Sequence, residues 1–204
     1  MQTLDKPRLW IVAGPNGSGK STLYGKTDIQ EFGRSVWIIN PDILTAHIAK
    51  QEKLRHGEAN AETLNRISRW LTASINAYRT IGVETVLSTG KYRRLVRMAK
   101  ARGFEIRLIY VTLHDVALNI QRVRARVRDG GHSVPVEKVK ARRKRSYKQL
   151  PWFLDHADMA LIYDNSSRTP ELIGEKKDGA ITISPQTPSD LKKALSRYLE
   201  KQAR

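Results

Sequence analysis

The sequence predicts an α/β protein in which parallel strands alternate with helices around one central sheet. Three observations lead to this prediction. Short apolar runs recur along the 204 residues, the stretches between them have helical spacing, and a glycine-rich turn joins the first run to the first helix. This alternation is typical of βαβ units, whose parallel strands are covered on both faces. We therefore expect a three-layer α/β/α fold with a central parallel sheet of about five strands.

The individual elements follow from these runs and periodicities. Strands are predicted at 9–13, 36–39, 83–87, 106–111 and 159–163. Helices are predicted at 21–27, 42–53, 60–80, 91–102, 114–128, 135–149 and 188–201, with loops at 128–134 and 164–179 and a small edge strand at 179–184. The helix at 60–80 has a regular apolar stripe that is expected to face the core, and Gly82 is expected to end it. The stripe consists of Leu64, Ile67, Trp70, Leu71, Ile75 and Tyr78.

Length and composition fit one domain that spans residues 1–204. No linker, repeat or low-complexity tract divides the chain, and about 200 residues can share one core. No apolar run reaches the roughly 18 residues that a membrane helix requires, and the polar amino terminus does not resemble a signal peptide. The absence of cysteine excludes disulfides and thiolate sites. We expect a soluble, cytoplasmic protein with no membrane partner.

The chain is strongly basic, with a formal net charge of +17. Residues 91–149 carry 18 Lys and Arg residues against four acids, a local balance of +14. Such a segment can bind nucleotide phosphates, steer an anionic substrate or attract nucleic acid. For most of the individual lysines, a solvated helix surface is the simpler interpretation.

Residues 14–21 match the pattern G-x-x-x-x-G-K-[ST] at every fixed position. In this pattern the glycines turn backbone N–H groups toward a polyphosphate, the lysine reaches the outer phosphates and the hydroxyl ligates Mg²⁺. A strand before the loop and a helix after it give the right context, because the helix N-terminus faces the phosphates. The sequence therefore predicts a site for ATP and Mg²⁺, with Ser21 as the metal ligand. The predicted nucleotide-binding residues are Gly14, Pro15, Asn16, Gly17, Ser18, Gly19, Lys20, Ser21 and Thr22.

Three acids, Asp42, Glu84 and Asp164, follow or interrupt predicted strands. Ligands of open parallel sheets bind beyond the carboxyl ends of the strands, where a kinase needs one carboxylate near Mg²⁺ and another to accept a proton. Each acid also has a structural interpretation. Asp42 fits the first turn of a helix capped by Asn40, Glu84 fits a buried ion pair with an arginine, and Asp164 fits a turn.

A group of arginines occupies the lid, which we define as residues 122–149. Arg122 and Arg126 share one helix face, and Gly130 with Gly131 offers a hinge into a loop. The second half of the lid contains Arg142, Arg143 and Arg145. Kinases use arginines of such lids to clamp phosphates and to stabilise charge while the phosphoryl group moves. The segment therefore predicts a basic helical lid over a phosphate site.

Together these motifs resemble the zeta toxin family of P-loop kinases, especially its small members, which are described as predicted ABC-type ATPases. The resemblance runs from about Leu9 to Asn165. It is carried by the glycine-rich loop and by ordered motifs: Asn40-Pro41-Asp42, Glu84-Thr85, Arg122-Val123 and Arg126-Val127 ahead of Gly130-Gly131-His132-Ser133-Val134-Pro135, Arg142 with Arg145, and Tyr163-Asp164-Asn165-Ser166. It implies a single P-loop kinase-like domain.

The resemblance also implies roles for particular residues. Lys20 is expected to serve the nucleotide and the reaction, Asp42 to be the catalytic base for a substrate hydroxyl, and Arg126 to stabilise the transferred charge. Further residues are expected to contact phosphates or to shape the substrate site: Arg142 and Arg145 for the phosphates, Glu84 and Thr85 for the substrate. Zeta toxins phosphorylate UDP-N-acetylglucosamine and are neutralised by a small antitoxin. The resemblance thus implies a small hydroxyl-bearing acceptor, such as a nucleotide sugar, and an antitoxin partner.

The chain departs from the zeta toxin pattern in being short and very basic, with Arg143 where an aromatic residue is usual in the lid helix. Other functions therefore stay open. Residues 87–91, Leu-Ser-Thr-Gly-Lys, are faintly similar to the signature of ABC-type ATPases, although they precede the helices that such a domain needs. The basic segment 91–149 fits a nucleotide-gated nucleic-acid-binding protein or a polynucleotide kinase. The favoured hypothesis is an ATP:hydroxyl phosphotransferase.

Overall fold

The computed structural model describes residues 6–26, 36–131 and 133–202, which form an α/β fold. Its strands are β1 (Arg8–Ala13), β2 (Ile38–Ile39), β3 (Ile81–Thr85), β4 (Glu105–Thr112), β5 (Met159–Asp164), β6 (Glu171–Lys177) and β7 (Ala180–Ile183). Its helices are α1 (Lys20–Lys26), α2 (Pro41–Gln51), α3 (His56–Asn76), α4 (Arg93–Ala101), α5 (Val116–Arg128), α6 (Val136–His156) and α7 (Ser189–Gln202). Thr27, the predicted end of the first helix, and His132 of the lid lie outside the described residues.

All seven described strands join one sheet in the order β2-β3-β1-β4-β5-β6-β7. The first five are parallel, as predicted, and β6 and β7 are added antiparallel at the β5 side. β7 confirms the predicted edge strand, but the predicted loop at 164–179 is wrong because it contains β6. The buried residues of β6 are Ile173, Gly174 and Lys176. These do not form an apolar run, so periodicity could not identify the strand.

Alternation along the strands distributes the core over both faces of the sheet. Leu9 and Ile11 of β1 belong to the larger apolar cluster, which α3, α4, α6 and α7 cover. Trp10 and Val12 belong to a second cluster on the opposite face, together with Leu23 of α1. The sheet is thus buried on both sides, which confirms the predicted three-layer class.

Only half of the predicted α3 stripe is core. Its buried members are Ile67, Leu71 and Ile75. Leu64 and Trp70 are 37% and 38% exposed and Tyr78 is 56% exposed, so the core prediction is wrong for these three residues. Trp70 packs edge-on against the exposed Trp37, with ring centroids 3.9 Å apart, at the side of the sheet where β2 has only two residues. The short edge strand leaves Trp70 partly uncovered.

Gly82 does not end α3, contrary to the prediction, but lies within β3. The helix ends at Asn76, and the chain then turns through Tyr78, which has a left-handed φ of 56°. A Cβ on Gly82 would collide with the side chain of Ile38 and would lie 3.1 Å from the Cβ of Trp10. Glycine is needed here because side chains of both neighbouring strands approach the backbone closely.

Among the described helices none is both long and apolar enough to cross a membrane, including the 21-residue α3 and α6.

α6 extends seven residues beyond its predicted end at 149, to His156, and passes through Pro151. Its end is stabilised by Lys176 of β6, whose Nζ donates to the carbonyls of Leu154 and Ala157 at 2.7 and 2.8 Å. Burial lowers the pKa of Lys176, and the Asp155 carboxylate opposes that shift. A cation at the carboxyl end of a helix also complements the helix dipole.

Replacing Lys176 with Met should therefore lower the free energy of unfolding by about 1–3 kcal/mol, because the last carbonyls of α6 lose a buried donor. Urea unfolding followed by circular dichroism would measure the change. Lys177→Met, which alters the exposed neighbour on the same strand, is the matched control. Equal unfolding midpoints for the two variants would contradict the capping role.

Candidate active site

The glycine-rich loop, residues 14–19, starts where β1 ends. The N–H of Gly14 donates to the Thr85 carbonyl at the end of β3 at 3.2 Å, which holds the loop against the neighbouring strand. Three glycines of the loop have positive φ angles: Gly14, Gly17 and Gly19. A Cβ on Gly17 would lie 2.6 Å from the carbonyl oxygen of Asn119. The loop is therefore a tight cradle that requires glycine, and its shape fits a polyphosphate.

Two buried asparagines hold the loop from outside. Asn119 of α5 donates from Nδ2 to the Asn16 carbonyl at 2.7 Å, and Asn165 after β5 donates from Nδ2 to the Ser18 carbonyl at 2.9 Å. Both side chains are more than nine-tenths buried. These bonds fix the peptide orientations of the loop before any ligand arrives, which is the preorganisation that a phosphate cradle needs.

Arg143 completes this support from the other side of Asn119. Its Nη1 donates to Asn119 Oδ1 at 2.7 Å, and its Nε and Nη2 donate to the Asp190 carboxylate of α7 at 2.9 and 3.2 Å. Arg143 is only 3% exposed and its guanidinium lies over the Tyr147 ring. The residue that departs from the zeta toxin pattern thus connects the carboxyl-terminal helix to the loop. Sequence spacing gave no signal for this role, because Asp190 is 47 residues away.

Lys20 is the first residue of α1 and is 7% exposed. Its Nζ donates to the carbonyls of Gly14 and Pro15 at 3.0 and 3.2 Å and lies 3.8 Å from the Glu84 carboxylate. Burial lowers the pKa of Lys20, and the carboxylates of Glu84 and Asp42 oppose that shift. The ammonium group is therefore held at the loop by weak carbonyl partners that phosphate oxygens can replace.

Ser21, the predicted metal ligand, donates from its hydroxyl to Glu84 Oε2 at 2.9 Å. Asn40 donates from Nδ2 to the same oxygen at 2.9 Å. A hydroxyl beside a carboxylate is the donor set that P-loop enzymes offer to Mg²⁺, with nucleotide oxygens and water completing the shell. The residues present therefore fit the ion. Within the described ranges no three His, Asp or Glu side chains form a metal cluster on their own.

Asp42 lies in the first turn of α2, as the capping pattern predicted. Asn40 is the N-cap and accepts from the N–H groups of Asp42 and Ile43 at 3.0 and 3.3 Å, with Pro41 at the first helical position. The Asp42 side chain is 62% exposed and lies 3.6 Å from Nη1 of Arg126. The structural and functional interpretations of Asp42 are thus compatible, because the cap fixes the backbone and leaves the carboxylate facing the lid.

One cleft of about 320 Å³ brings most of the predicted site residues together. It lies between the loop, the start of α2, the end of β3 and the lid. Among its lining residues are Asn16, Gly17, Lys20, Asp42, Glu84, Thr85, Arg126 and Arg142. Arg145 is exposed and does not line this cleft. Thr85 is buried, and its hydroxyl accepts from the N–H of Leu87 at 3.0 Å, so it shapes the turn after β3.

Sequence reasoning missed two side chains of this cleft. Asn40, expected only as a helix cap, also contacts Glu84 and Ser21. Lys91 lies at the rim, where burial and the positive charge of Arg142 lower the pKa of Lys91 and Asp42 opposes that shift. Both residues follow the carboxyl end of a parallel strand, and that position was the signal that would have identified them.

Two other predicted features have structural roles. Asp164 accepts from the N–H of Ser166 at 2.9 Å and from its hydroxyl, which is a turn rather than a site at the loop. Gly130 has a φ of 84°, and the N–H of Gly131 donates to the Arg126 carbonyl at 2.9 Å. This pattern is a glycine-terminated helix end that fixes the start of the lid loop. Thr22 is exposed in the first turn of α1.

Three further cavities surround the site. A pocket of about 410 Å³ between α3 and α4 shares Leu64 and Lys91 with the cleft, and a smaller one of about 140 Å³ shares Asp42 and Arg142. A groove of about 830 Å³ between α5 and α6 contains none of the predicted site residues. The predicted site residues therefore gather at the cleft beside the loop rather than in this groove.

Comparisons with known proteins bear on the domain and its fold. Residues 9–150 match the AAA domain family. The chain is 28% identical over 145 residues to an uncharacterised protein of Haemophilus influenzae. The aligned region covers 67% of this chain and 98% of that protein.

Solved structures share the fold. A chain of the AvrRxo1-ORF1:-ORF2 complex, solved with ATP, has a TM-score of 0.69 and 15% identity, covering 95% of this chain and 64% of that chain. A chain from the PezAT chromosomal toxin-antitoxin system of Streptococcus pneumoniae has a TM-score of 0.62 and 14% identity, covering 100% of this chain and 90% of that chain. At these identities the likeness establishes the P-loop fold.

Asn119→Ala should weaken ATP binding, because the loop carbonyl of Asn16 loses its donor and Arg143 loses a buried acceptor. We expect a dissociation constant for ATP raised about tenfold and a free energy of unfolding lowered by about 1–3 kcal/mol. Calorimetric titration and urea unfolding would measure these quantities. Gln121→Ala, an exposed change on the same helix, is the control. A destabilised Asn119→Ala variant with unchanged ATP affinity would show that Asn119 does not position the loop.

Proposed function

Since the chain belongs to the AAA domain family, we propose that it is an ATP- and Mg²⁺-dependent phosphotransferase. It moves the γ-phosphate of ATP to a hydroxyl group of a small anionic acceptor bound in the cleft. The observation that carries this proposal is that Asp42 of α2 and Lys20 of α1 line the same cleft. A carboxylate that faces a phosphate-binding ammonium is the arrangement that hydroxyl phosphorylation requires.

The loop binds the triphosphate in this proposal. Backbone N–H groups of residues 14–22 surround the phosphates, and Lys20 exchanges its carbonyl partners for phosphate oxygens. Ser21 would ligate Mg²⁺, and Glu84, whose Oε2 accepts from the Ser21 hydroxyl, would help to hold the ion at the loop. The ion, when bound, neutralises charge on the phosphates. We therefore assign Glu84 to the metal side of the cleft, and Thr85 to the turn that supports it.

Asp42 acts on the acceptor. Its exposed carboxylate accepts the proton of the acceptor hydroxyl as the oxygen of that hydroxyl forms a bond to the γ-phosphorus. The bond from that phosphorus to its bridging oxygen breaks, and ADP leaves. Arg126, 3.6 Å from Asp42, lies where charge spreads during transfer, and Arg142 lines the same cleft. Guanidinium groups suit this role because they donate in a bidentate fork.

The acceptor is anionic because cations surround the cleft beyond Asp42. Lys91, Arg126 and Arg142 all line it, and this charge supports a phosphate-bearing acceptor such as a nucleotide sugar. The PezAT likeness, together with the resemblance of the sequence to zeta toxins, supports a small antitoxin as a partner. Arg145 does not line the cleft, so its proposed contact with a phosphate requires the lid to move.

The Asp42→Asn variant should bind ATP normally and lose at least about a hundredfold in transfer rate, because an amide cannot accept the proton. The assay incubates the protein with γ-labelled ATP, Mg²⁺ and a panel of nucleotide sugars, nucleosides and oligonucleotides. Asp129→Asn, which alters an exposed lid acid, is the matched control. Near-normal transfer by Asp42→Asn would remove Asp42 from the role of base.

A second prediction concerns the metal. Glu84→Gln should raise the Mg²⁺ concentration needed for half-maximal activity, because a neutral amide beside Ser21 would attract the cation less strongly than a carboxylate. Titration of activity against Mg²⁺ at saturating ATP measures it, with Glu175→Gln on β6 as the control. An unchanged Mg²⁺ requirement would place Glu84 outside the metal site.

A further inference from the structure

The helices α4 and α6 lie side by side. Their cationic side chains, together with Lys91 just before α4, form a row that starts at the cleft. We call this row the α4–α6 seam. It consists of Lys91, Arg93, Arg97, Arg142, Arg145 and Lys148. Lys91 and Arg142 line the cleft, so one end of the seam opens directly onto the candidate active site.

Contacts between the two helices establish the seam. Arg93 donates from Nη2 to Gln149 Oε1 at 2.8 Å. The guanidinium carbons of Arg93 and Arg97 lie 4.9 and 5.5 Å from the ring centroid of Trp152, and the His156 ring stacks on the same indole. The Trp152 ring thus holds two arginines in fixed positions at the helix junction.

Helical spacing continues the row along α6. Arg145 follows Arg142 by three residues and precedes Gln149 by four, so it lies on the same face as both. Lys148 precedes Trp152 by four residues and is its neighbour on the surface. Arg145 therefore belongs to the seam, although it does not line the cleft.

The seam has an uncompensated charge. α4 contains no acid, and α6 contains seven Lys and Arg residues and no acid between Glu137 and Asp155. Arg97, Arg145 and Lys148 are exposed and make no ion pair with any described residue. Like charges placed in a row repel one another, so an external polyanion would stabilise this surface.

We propose that the α4–α6 seam binds the phosphate backbone of a single-stranded polynucleotide and directs its end into the cleft. This proposal rests on the phosphoryl transfer of the proposed function, and it replaces the small acceptor by a hydroxyl at the end of a nucleic acid strand. From Arg142 to Trp152 the seam is about 15 Å long, at about 1.5 Å per helical residue. A single nucleotide sugar would occupy the cleft and leave this length unused.

The cleft favours a single strand over a duplex. Its volume of about 320 Å³, part of which the phosphates of ATP would fill, is too small for a base pair. The seam also favours a polyanion over a membrane. Its aromatic residue, Trp152, is only partly exposed and is enclosed by His156 and the arginines, so it offers no apolar side chain for insertion into lipid.

Fluorescence anisotropy with labelled oligo(U) and oligo(dT) of about 20 nucleotides tests the proposal over a range of salt concentrations. The seam variant carries Arg97→Glu, Arg145→Glu and Lys148→Glu. The matched control carries Lys192→Glu, Lys193→Glu and Arg197→Glu on exposed positions of α7, so both variants lose the same formal charge. The neutral triple Arg97→Gln, Arg145→Gln and Lys148→Gln replaces the seam variant if charge reversal prevents folding.

The seam variant should bind at least about tenfold more weakly than the control, and its salt dependence should be shallower by about 2 in log–log slope, as expected for three lost contacts to a single strand. Comparing oligo(U) with oligo(dT) identifies the preferred sugar, and binding of either supports the seam. Three results would each overturn the proposal. The first is an equal loss of oligonucleotide affinity in both variants, and the second is tighter binding to a duplex of the same length. The third is binding to phosphatidylserine vesicles without binding to oligonucleotides.

The experiments distinguish a failure of the seam proposal from a failure of the proposed function. Asp42→Asn should bind the oligonucleotides as the unmodified protein does, because Asp42 lies outside the seam. If no acceptor is phosphorylated while the seam binds oligonucleotides, the proposed function is wrong. If a small acceptor is phosphorylated and the oligonucleotides neither bind nor become labelled, only the seam proposal is wrong.

Discussion

The parallel register between β1 and β3 is the constraint on which the candidate site depends. It pairs Ala13 with Thr85 and Val12 with Glu84, so the loop begins beside the carboxyl end of its neighbour. The bond from the Gly14 N–H to the Thr85 carbonyl fixes that start. The same register carries the Glu84 carboxylate to the hydroxyl of Ser21. A slip by one residue would turn Glu84 to the opposite face of the sheet and separate its carboxylate from the hydroxyl of Ser21.

Buried charges around the loop are all held by specific partners. Glu84 contacts Lys20, Ser21 and Asn40, and Arg143 contacts Asp190 and Asn119. Burying a charged group costs free energy because the group loses its water. A protein with well-packed apolar residues at the same positions would often be equally stable. Their value in this fold is positional, since each fixes the direction of a polar group at the loop. The basic composition thus has two parts, a few buried cations that organise the site and many exposed ones on α4 and α6.

The sequence was most informative where one local signal determined the outcome. The loop glycines, the β1 strand and the Asn40 cap were all predictable because each depends on neighbouring residues alone. β6 was missed because its burial comes from edge pairing with β5, and Gly82 was misassigned because its role depends on side chains of two other strands. Asn119 and Arg143 could not be identified as site residues from the sequence, because their partners lie on elements that only the tertiary fold brings together.

The ion pair between Asp42 and Arg126 has a consequence for the choice of acceptor in the proposed reaction. If Asp42 is the base, Arg126 of the lid is its counter-ion, 3.6 Å away. An acceptor phosphate would then compete with the carboxylate for that guanidinium. Water has no charge with which to compete, so the proposed reaction would favour transfer to an anionic acceptor over hydrolysis of ATP.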